Sequence, residues 1–283
     1  MKRTLLMLAG AALLPFGARA QEATWRTVDI ARQLRDSQPQ RIRVQYRAGR
    51  VDIRGTSDPL LYSMHLRYDE KRAVPLHRHD AEQRVTSLGV EPTTHSDRAS
   101  ASDREAGELR LALPVSVPLD LDLEFGGTQS QLDFGGLALQ SLRLEFGATD
   151  ATLLFSKPNR VRMREMDLNV GAADFTALHL ANANADQIRI RGGVGSVDLD
   201  FSGTWEHDLN VTTKLMLGGL VLRVPADVGV HIEVQRMLAS FDQTGLVKRD
   251  DGWYSPNFES APHKLRIKAE TMFGQIQVKP AIR

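Results

Sequence analysis

Three groupings of residues in this chain could do chemistry. His77 and His79 stand two apart, with Asp80 beside them. On an extended strand such residues point to one side, so the pair could offer two imidazole nitrogens to a metal ion. No third ligand follows at a metal-site spacing, and a solvated polar turn accounts for the same residues. Asp120, Asp122 and Glu124, with Asp198 and Asp200, form two alternating carboxylate sets. Such sets could supply the acid and base of glycoside hydrolysis, or oxygen ligands for calcium. They also alternate with Leu residues, as the solvated face of a half-buried sheet does. Trp253, Tyr254 and Phe258 lie in a segment otherwise rich in charge. Their rings could stack on sugars or insert into a partner, and they could equally cap a core.

Other chemistry lacks its residues. Gly192-Gly193-Val194-Gly195-Ser196 is glycine-rich, but it has neither the phosphate-loop Lys nor a following helix, so it reads as a corner. No Gly-x-Ser-x-Gly elbow is present to raise a serine nucleophile. The chain has no Cys, which removes thiolate catalysis, disulfides and a lipid-attachment cysteine. The expectation is a protein without catalysis, cofactor or metal.

The N-terminus reads as a targeting segment. Lys2 and Arg3 precede an apolar run, Leu5 to Leu14, closed by Pro15, and Ala18-Arg19-Ala20 is a small-x-small cleavage signal. This is the pattern of a bacterial secretory signal peptide over residues 1–20. No later apolar run reaches spanning length. The expected location is the periplasm, the outer envelope or the extracellular space. Without Lys2, Arg3 and Arg19 the near balance of 36 basic and 35 acidic residues becomes a slight acidic excess. Nothing in that balance favours nucleic acid as a partner.

The elements that must position these residues are strands. From Leu121 onward a phrase returns about every 21 residues, a period that marks stacked coils. It reads apolar-x-apolar-x-apolar, a corner, then apolar-x-apolar. The corners fall at Gly126, Gly147, Gly171 and Gly193, then at Lys214, Gln235 and Glu270. The last step is longer because residues 243–263 interrupt it, as either a folded flap or a binding loop. In the copy around Gly147 the apolar set passes from Leu142, Leu144 and Phe146 to Leu153 and Phe155, changing from even to odd numbers. A corner residue must absorb that change, and Gly does so at least steric cost. In the copy after Gly171 the second apolar pair is read as Leu178 and Leu180, one position late. If coils stack in register, Asp122, Arg143, Asp167 and Arg189 become neighbours of alternating sign. Such a column pins the register, because a slip would set like charges together.

Three segments outside the array complete the reading. Trp25, Val28, Ala31 and Leu34 recur every three residues and predict a short amphipathic helix over 22–37, capping the stack's open end. Residues 41–70 read as an early, degraded copy, and strands resume from Glu108. Residues 84–107, rich in Ser, Thr, Asp, Arg and Glu, predict a mobile surface loop.

With the array laid out, the chain resembles the bacterial putative-adhesin and toast-rack domain families, relatives of the C-terminal region of cell-wall-active antibiotics response proteins. The residues that carry the likeness are GSVDLDFSG (Gly195–Gly203), LGGLVLRVPADVGVHIEV (Leu217–Val234) and FGQIQV (Phe273–Val278). It covers roughly residues 108–280 and, more weakly, 41–70. The resemblance implies a right-handed, single-stranded coil of β-strands at the cell envelope, with no agreed catalytic residues to carry over. The exported N-terminus departs from the membrane-anchored antibiotics response proteins.

The expectation is therefore a signal peptide followed by one all-β, solenoid-like domain over 21–283, with regular repeats over about 108–280. Its expected role is that of a non-enzymatic adhesin or scaffold for an envelope protein or cell-wall glycan, with Trp253, Tyr254 and Phe258 as the ligand-binding candidates. A polysaccharide-active enzyme and a structural partner of an envelope-stress sensor are the alternatives.

Overall fold

A computed structural model of the chain describes residues 23–93 and 107–281. The leader expected at 1–20 lies outside the described residues, as does most of the loop expected at 84–107.

The repeating phrase forms parallel coils. Strands β7 (Pro118–Asp133), β8 (Ala138–Leu154), β9 (Glu165–Leu178), β10 (Gln187–Asp200) and β11 (Leu209–Val224) each pair in parallel with the next. Each has two arms, and the inward parity changes between them. In β8, Leu142, Leu144 and Phe146 are buried before the corner, and Ala151 and Leu153 after it. The two arms face one core: the Phe146 ring, on the first arm of β8, lies 5.9 Å from that of Phe175 on the second arm of β9. The second-arm residues of β9 that face inward are Phe175 and Ala177. They correct the expected Leu178 and Leu180; the chain turns after Leu178, and Leu180 is buried instead in a short 3-10 turn, Leu180–Ala183.

Both ends of the stack depart from sequence order. β2 (Gln40–Thr56) pairs in parallel with β7 along both arms. Its other side is met by two pieces, β5 (Val85–Pro92) on the first arm and β6 (Glu108–Pro114) on the second. These two strands make one coil split by the chain between them. Antiparallel strands then close this end: β4 (Ala73–Asp80) on β5, β3 (Leu60–Asp69) on β6, and β1 (Trp25–Gln33) on β3. At the other end β15 (Lys264–Pro280) slots between β11 and β12 (Gly229–Asp242), parallel to both. The insertion supplies β13 (Val247–Arg249) and β14 (Gly252–Tyr254), a small hairpin against the first arm of β12.

Three expectations are corrected here. Residues 25–33 form a strand, not a helix: β1 pairs with β3 at the end of the sheet, its half-buried face carries Val28, Ile30 and Arg32, and Ala31 is exposed. Residues 85–92 are a strand, because Leu88 and Val90 complete the split coil and Thr86 is fully buried beside them. The final coils stack in the order β11, β15, β12.

The charge column is present. Asp122 is opposite Arg143, Arg143 opposite Asp167, and Asp167 opposite Arg189; Arg43 extends the column beyond Asp122. The ion pairs run diagonally as well as directly. Arg143 pairs with Glu145 on its own strand, and Arg191 reaches Asp167 at 2.9 Å.

Candidate binding surface

The metal and carboxylate candidates are taken up locally. His77 and His79 do share a side of β4, but His79 Nδ1 lies 2.9 Å from Thr86 Oγ1 and Asp80 Oδ1 accepts the N–H groups of Glu82 and Gln83. Burial, with Arg32 and Arg35 nearby, holds the His79 imidazole below its ordinary value. Among the described residues no group of three or more His, Cys, Asp or Glu is placed to hold a metal ion. Asp120 sits between Arg41 and Arg164, each at 3.8 Å, and accepts from Ser141 Oγ. Asp198 is gripped by the Arg223 guanidinium through Nε and Nη2, both at 2.8 Å. Asp200 is fully buried rather than solvated, and accepts from Ser202 Oγ at 2.5 Å.

The insertion folds back on the last coil. Tyr254 is buried and stacks on His231 with ring centroids 4.3 Å apart. The Arg249 guanidinium lies 4.5 Å from the Tyr254 ring centroid, and Phe258 meets the ring edge-on at 4.9 Å. Burial and the Asp251 carboxylate raise the Tyr254 hydroxyl above its usual range, and the same hydrogen bond lowers Asp251. Trp253, half-buried, packs edge-on against Phe241 at 5.7 Å. Tyr254 and Phe258 are thus brought together beside His231, while the adjacent Trp253 packs separately on Phe241; the two contacts make a plug over the last coil, with part of Trp253 and Phe258 accessible.

The corners form a second feature. Ladder pairing breaks at each corner, over three residues between β7 and β8 and over one elsewhere in the stack, and the first residues skipped form a column: Arg47, Gly126, Gly147, Gly171, Gly193, Met216, Met272 and Met237. The glycine corners stand where expected. The last three lie two residues beyond Lys214, Glu270 and Gln235, because each first arm there continues through two further pairs. In the glycine half the coils approach closely; a Cβ on Gly171 would lie 2.3 Å from the Gly147 carbonyl oxygen.

The next column changes character at the same place. It runs Ala48, Gly127, Ala148 and Ala172, then Val194, Leu217, Phe273 and Leu238. The large members are exposed: Met216 61%, Met237 65%, Leu238 70% and Phe273 40%. Seven of the nine exposed large hydrophobics among the described residues lie on this ridge, so they form a patch rather than scattered surface residues. Across four strands the ridge is roughly 14 Å long. The sequence reading missed it because Met216, Met237 and Met272 fall outside the alternating inward set. Their common spacing after Lys214, Gln235 and Glu270 is the signal that could have found them.

A family model, the N-terminal domain of toast_rack, DUF2154, matches residues 19–163, just over half of the chain. The chain belongs to this family. The toast_rack match spans β1 to β8, so the ridge and the plug lie beyond it. Among solved structures the chain is similar to a putative cell adhesion protein from Clostridium sporogenes ATCC 15579, with 15% identity, TM-score 0.46, and coverage of 90% of this chain and 100% of that one. It is also similar to a putative adhesin from Bacteroides fragilis NCTC 9343, with 7% identity, TM-score 0.46, and coverage of 90% and 97%. A putative lipid binding protein from Parabacteroides distasonis ATCC 8503 follows, with 10% identity, TM-score 0.38, and coverage of 90% and 97%. No curated protein matches the chain. Among the described residues no helix is long and apolar enough to cross a membrane.

Proposed function

We propose that this protein is an exported, non-catalytic binding module of the cell envelope, an adhesin or scaffold that holds a protein partner on its C-terminal ridge. The observation that carries the reading is the change from Gly and Ala to Met, Leu and Phe along two adjacent corner columns. Leaving that surface in water costs free energy, and covering it with apolar surface of a partner recovers roughly 25 cal/mol per Å². Methionine suits such a surface because its flexible thioether adapts to the shape it meets. The N-terminal leader pattern supports export. The carboxylates that a glycan-cleaving reading would use at Asp120 and Asp198 are each held by arginine.

Capture from an envelope extract tests the reading. The wild type should retain a protein that the variant Leu217→Ser plus Phe273→Ser loses. A ridge variant that retains the same protein as the wild type rejects the ridge as the site. Loss with Trp253→Ala alone would move it to the aromatic plug, and retention of purified cell-wall glycan would change the class of partner.

A further inference from the structure

The methionines of this chain divide by burial. Met1 and Met7 lie outside the described residues. Of the other six, Met64, Met163 and Met166 are buried, whereas Met216, Met237 and Met272 are each exposed by 41% or more. The exposed three are not scattered. They hold the same skipped corner position in three consecutive coils, Met216 in β11, Met272 in β15 and Met237 in β12. Adjacent coils lie roughly 4.8 Å apart, so the three form one short column. The column beside them, Val194, Leu217, Phe273 and Leu238, has no methionine.

Leucine at those corners would supply the same apolar surface. What a thioether adds is a sulfur lone pair that an oxidant can reach. Oxidation to the sulfoxide turns a flexible apolar side chain into a polar one, and it is reversible. The chain has no Cys, so none of its own thiols competes for the oxidant.

We propose that Met216, Met272 and Met237 are an oxidation site, and that hydrogen peroxide acting there turns the ridge from apolar to polar and releases its partner. The inference rests on the ridge reading and supplies its regulation. In each step the sulfur lone pair attacks one peroxide oxygen. An S–O bond forms as the O–O bond breaks, and the departing hydroxide takes up the proton of the transferred oxygen to leave as water. The sulfur is oxidised and the peroxide reduced. A thiol-dependent methionine sulfoxide reductase reverses the change, two thiols becoming a disulfide as the oxygen leaves as water.

The placement makes this a switch rather than damage. The three side chains stand outside the core cluster, so in the free chain a sulfoxide oxygen there stays in water. Once apolar surface of a partner covers the corner, the same oxygen is buried without a hydrogen bond, which opposes docking. A sulfoxide at Met64, Met163 or Met166 would instead break the core, and burial withholds those three from the oxidant.

The test is peroxide treatment of the purified chain. Peptide mapping should find Met216, Met237 and Met272 oxidised well ahead of Met64, Met163 and Met166, with the unfolding midpoint unchanged. The oxidised wild type should elute earlier from a phenyl matrix and should retain the envelope protein roughly tenfold less well. The triple variant Met216→Leu, Met237→Leu, Met272→Leu should keep both properties after peroxide. The triple variant Met216→Gln, Met237→Gln, Met272→Gln should lack both without it. Elution needs no partner, so the two readings can fail separately: a reduced wild type that captures no protein rejects the ridge as a protein site, while elution still decides the oxidation site. Equal oxidation of all six methionines, an elution shift that is absent or equal in the Leu variant, or full capture by the oxidised wild type would overturn the proposal.

Discussion

Phe125 and Phe146 meet ring to ring, with centroids 5.7 Å apart, and are also direct partners in the β7–β8 ladder. Phe146 touches Phe175 on its other side, so one ring joins two coils and both arms. Removing a buried aromatic ring costs the transfer of its surface plus the cavity left behind. Phe146→Ala is expected to destabilise by about 3–5 kcal/mol in denaturant unfolding. A loss below about 1 kcal/mol would mean that the rings do not form the central column.

Such columns are what the sequence makes legible. Residues that recur at a fixed period with a fixed parity become ladder partners whenever the coils stack, which is why Asp122, Arg143, Asp167 and Arg189 align as read. The order of the coils is not encoded that way. Val211, Ile232 and Ile267 occupy the same phase in their copies, so periodicity alone cannot tell that β15 separates β11 from β12. The methionine corners were hidden for a related reason. The phrase counts inward residues, and Leu215 adds one more inward position before the turn. β1 reads as a helix because an edge strand covered on one face shows only sparse apolar residues: Val28 and Ile30 alternate on that face, but the three-residue recurrence of Trp25, Val28, Ala31 and Leu34 masks them.

The corner of β11 offers a paired test on adjacent glycines. Gly218 has φ +143°, and a Cβ there would lie 1.7 Å from the Gly195 carbonyl oxygen, whereas a Cβ on Gly219 would meet nothing within 4 Å. Gly218→Ala is expected to cost about 1–3 kcal/mol from its backbone conformation alone, with the clash added. Gly219→Ala is expected to be neutral or to stabilise by about 0.4–1 kcal/mol. Thermal unfolding of both variants decides the matter; equal effects would show that the close approach of the coils is wrong.

Asn182 bridges neighbouring coils from a buried position. Its Oδ1 accepts the Thr204 N–H at 2.8 Å and its Nδ2 donates to the Phe155 carbonyl at 2.9 Å. Asn159 repeats the device one coil earlier, accepting the Leu139 N–H at 2.8 Å. A turn at the side of a stack has no ladder of its own, and these amides satisfy backbone groups that would otherwise be buried unpaired. Asn182→Ala is expected to cost about 1–3 kcal/mol for each backbone group left unpaired. A change within about 0.5 kcal/mol, the usual range for surface substitutions, would place Asn182 in water instead.

Asp208 ties the entry of β15 to the turn before β11. Its Oδ1 accepts the Lys264 N–H and its Oδ2 pairs with the Arg266 guanidinium, both at 2.9 Å. Burial raises the carboxyl, but the Arg266 hydrogen bond and charge, together with the Lys264 N–H, outweigh it and hold the group below the ordinary Asp value. A carboxylate lowered in the folded state stabilises it above the unfolded value of about 3.9 and loses that contribution as pH falls through the folded one. The side chain is nearly half exposed, so the contribution is discounted for solvent screening. Urea midpoints of the wild type and Asp208→Asn should differ at pH 7 and converge as pH falls below about 4. A gap that widens toward acid would show that Asp208 is not the charged tether. The consequence reaches β12, because β15 is the strand on which it lies.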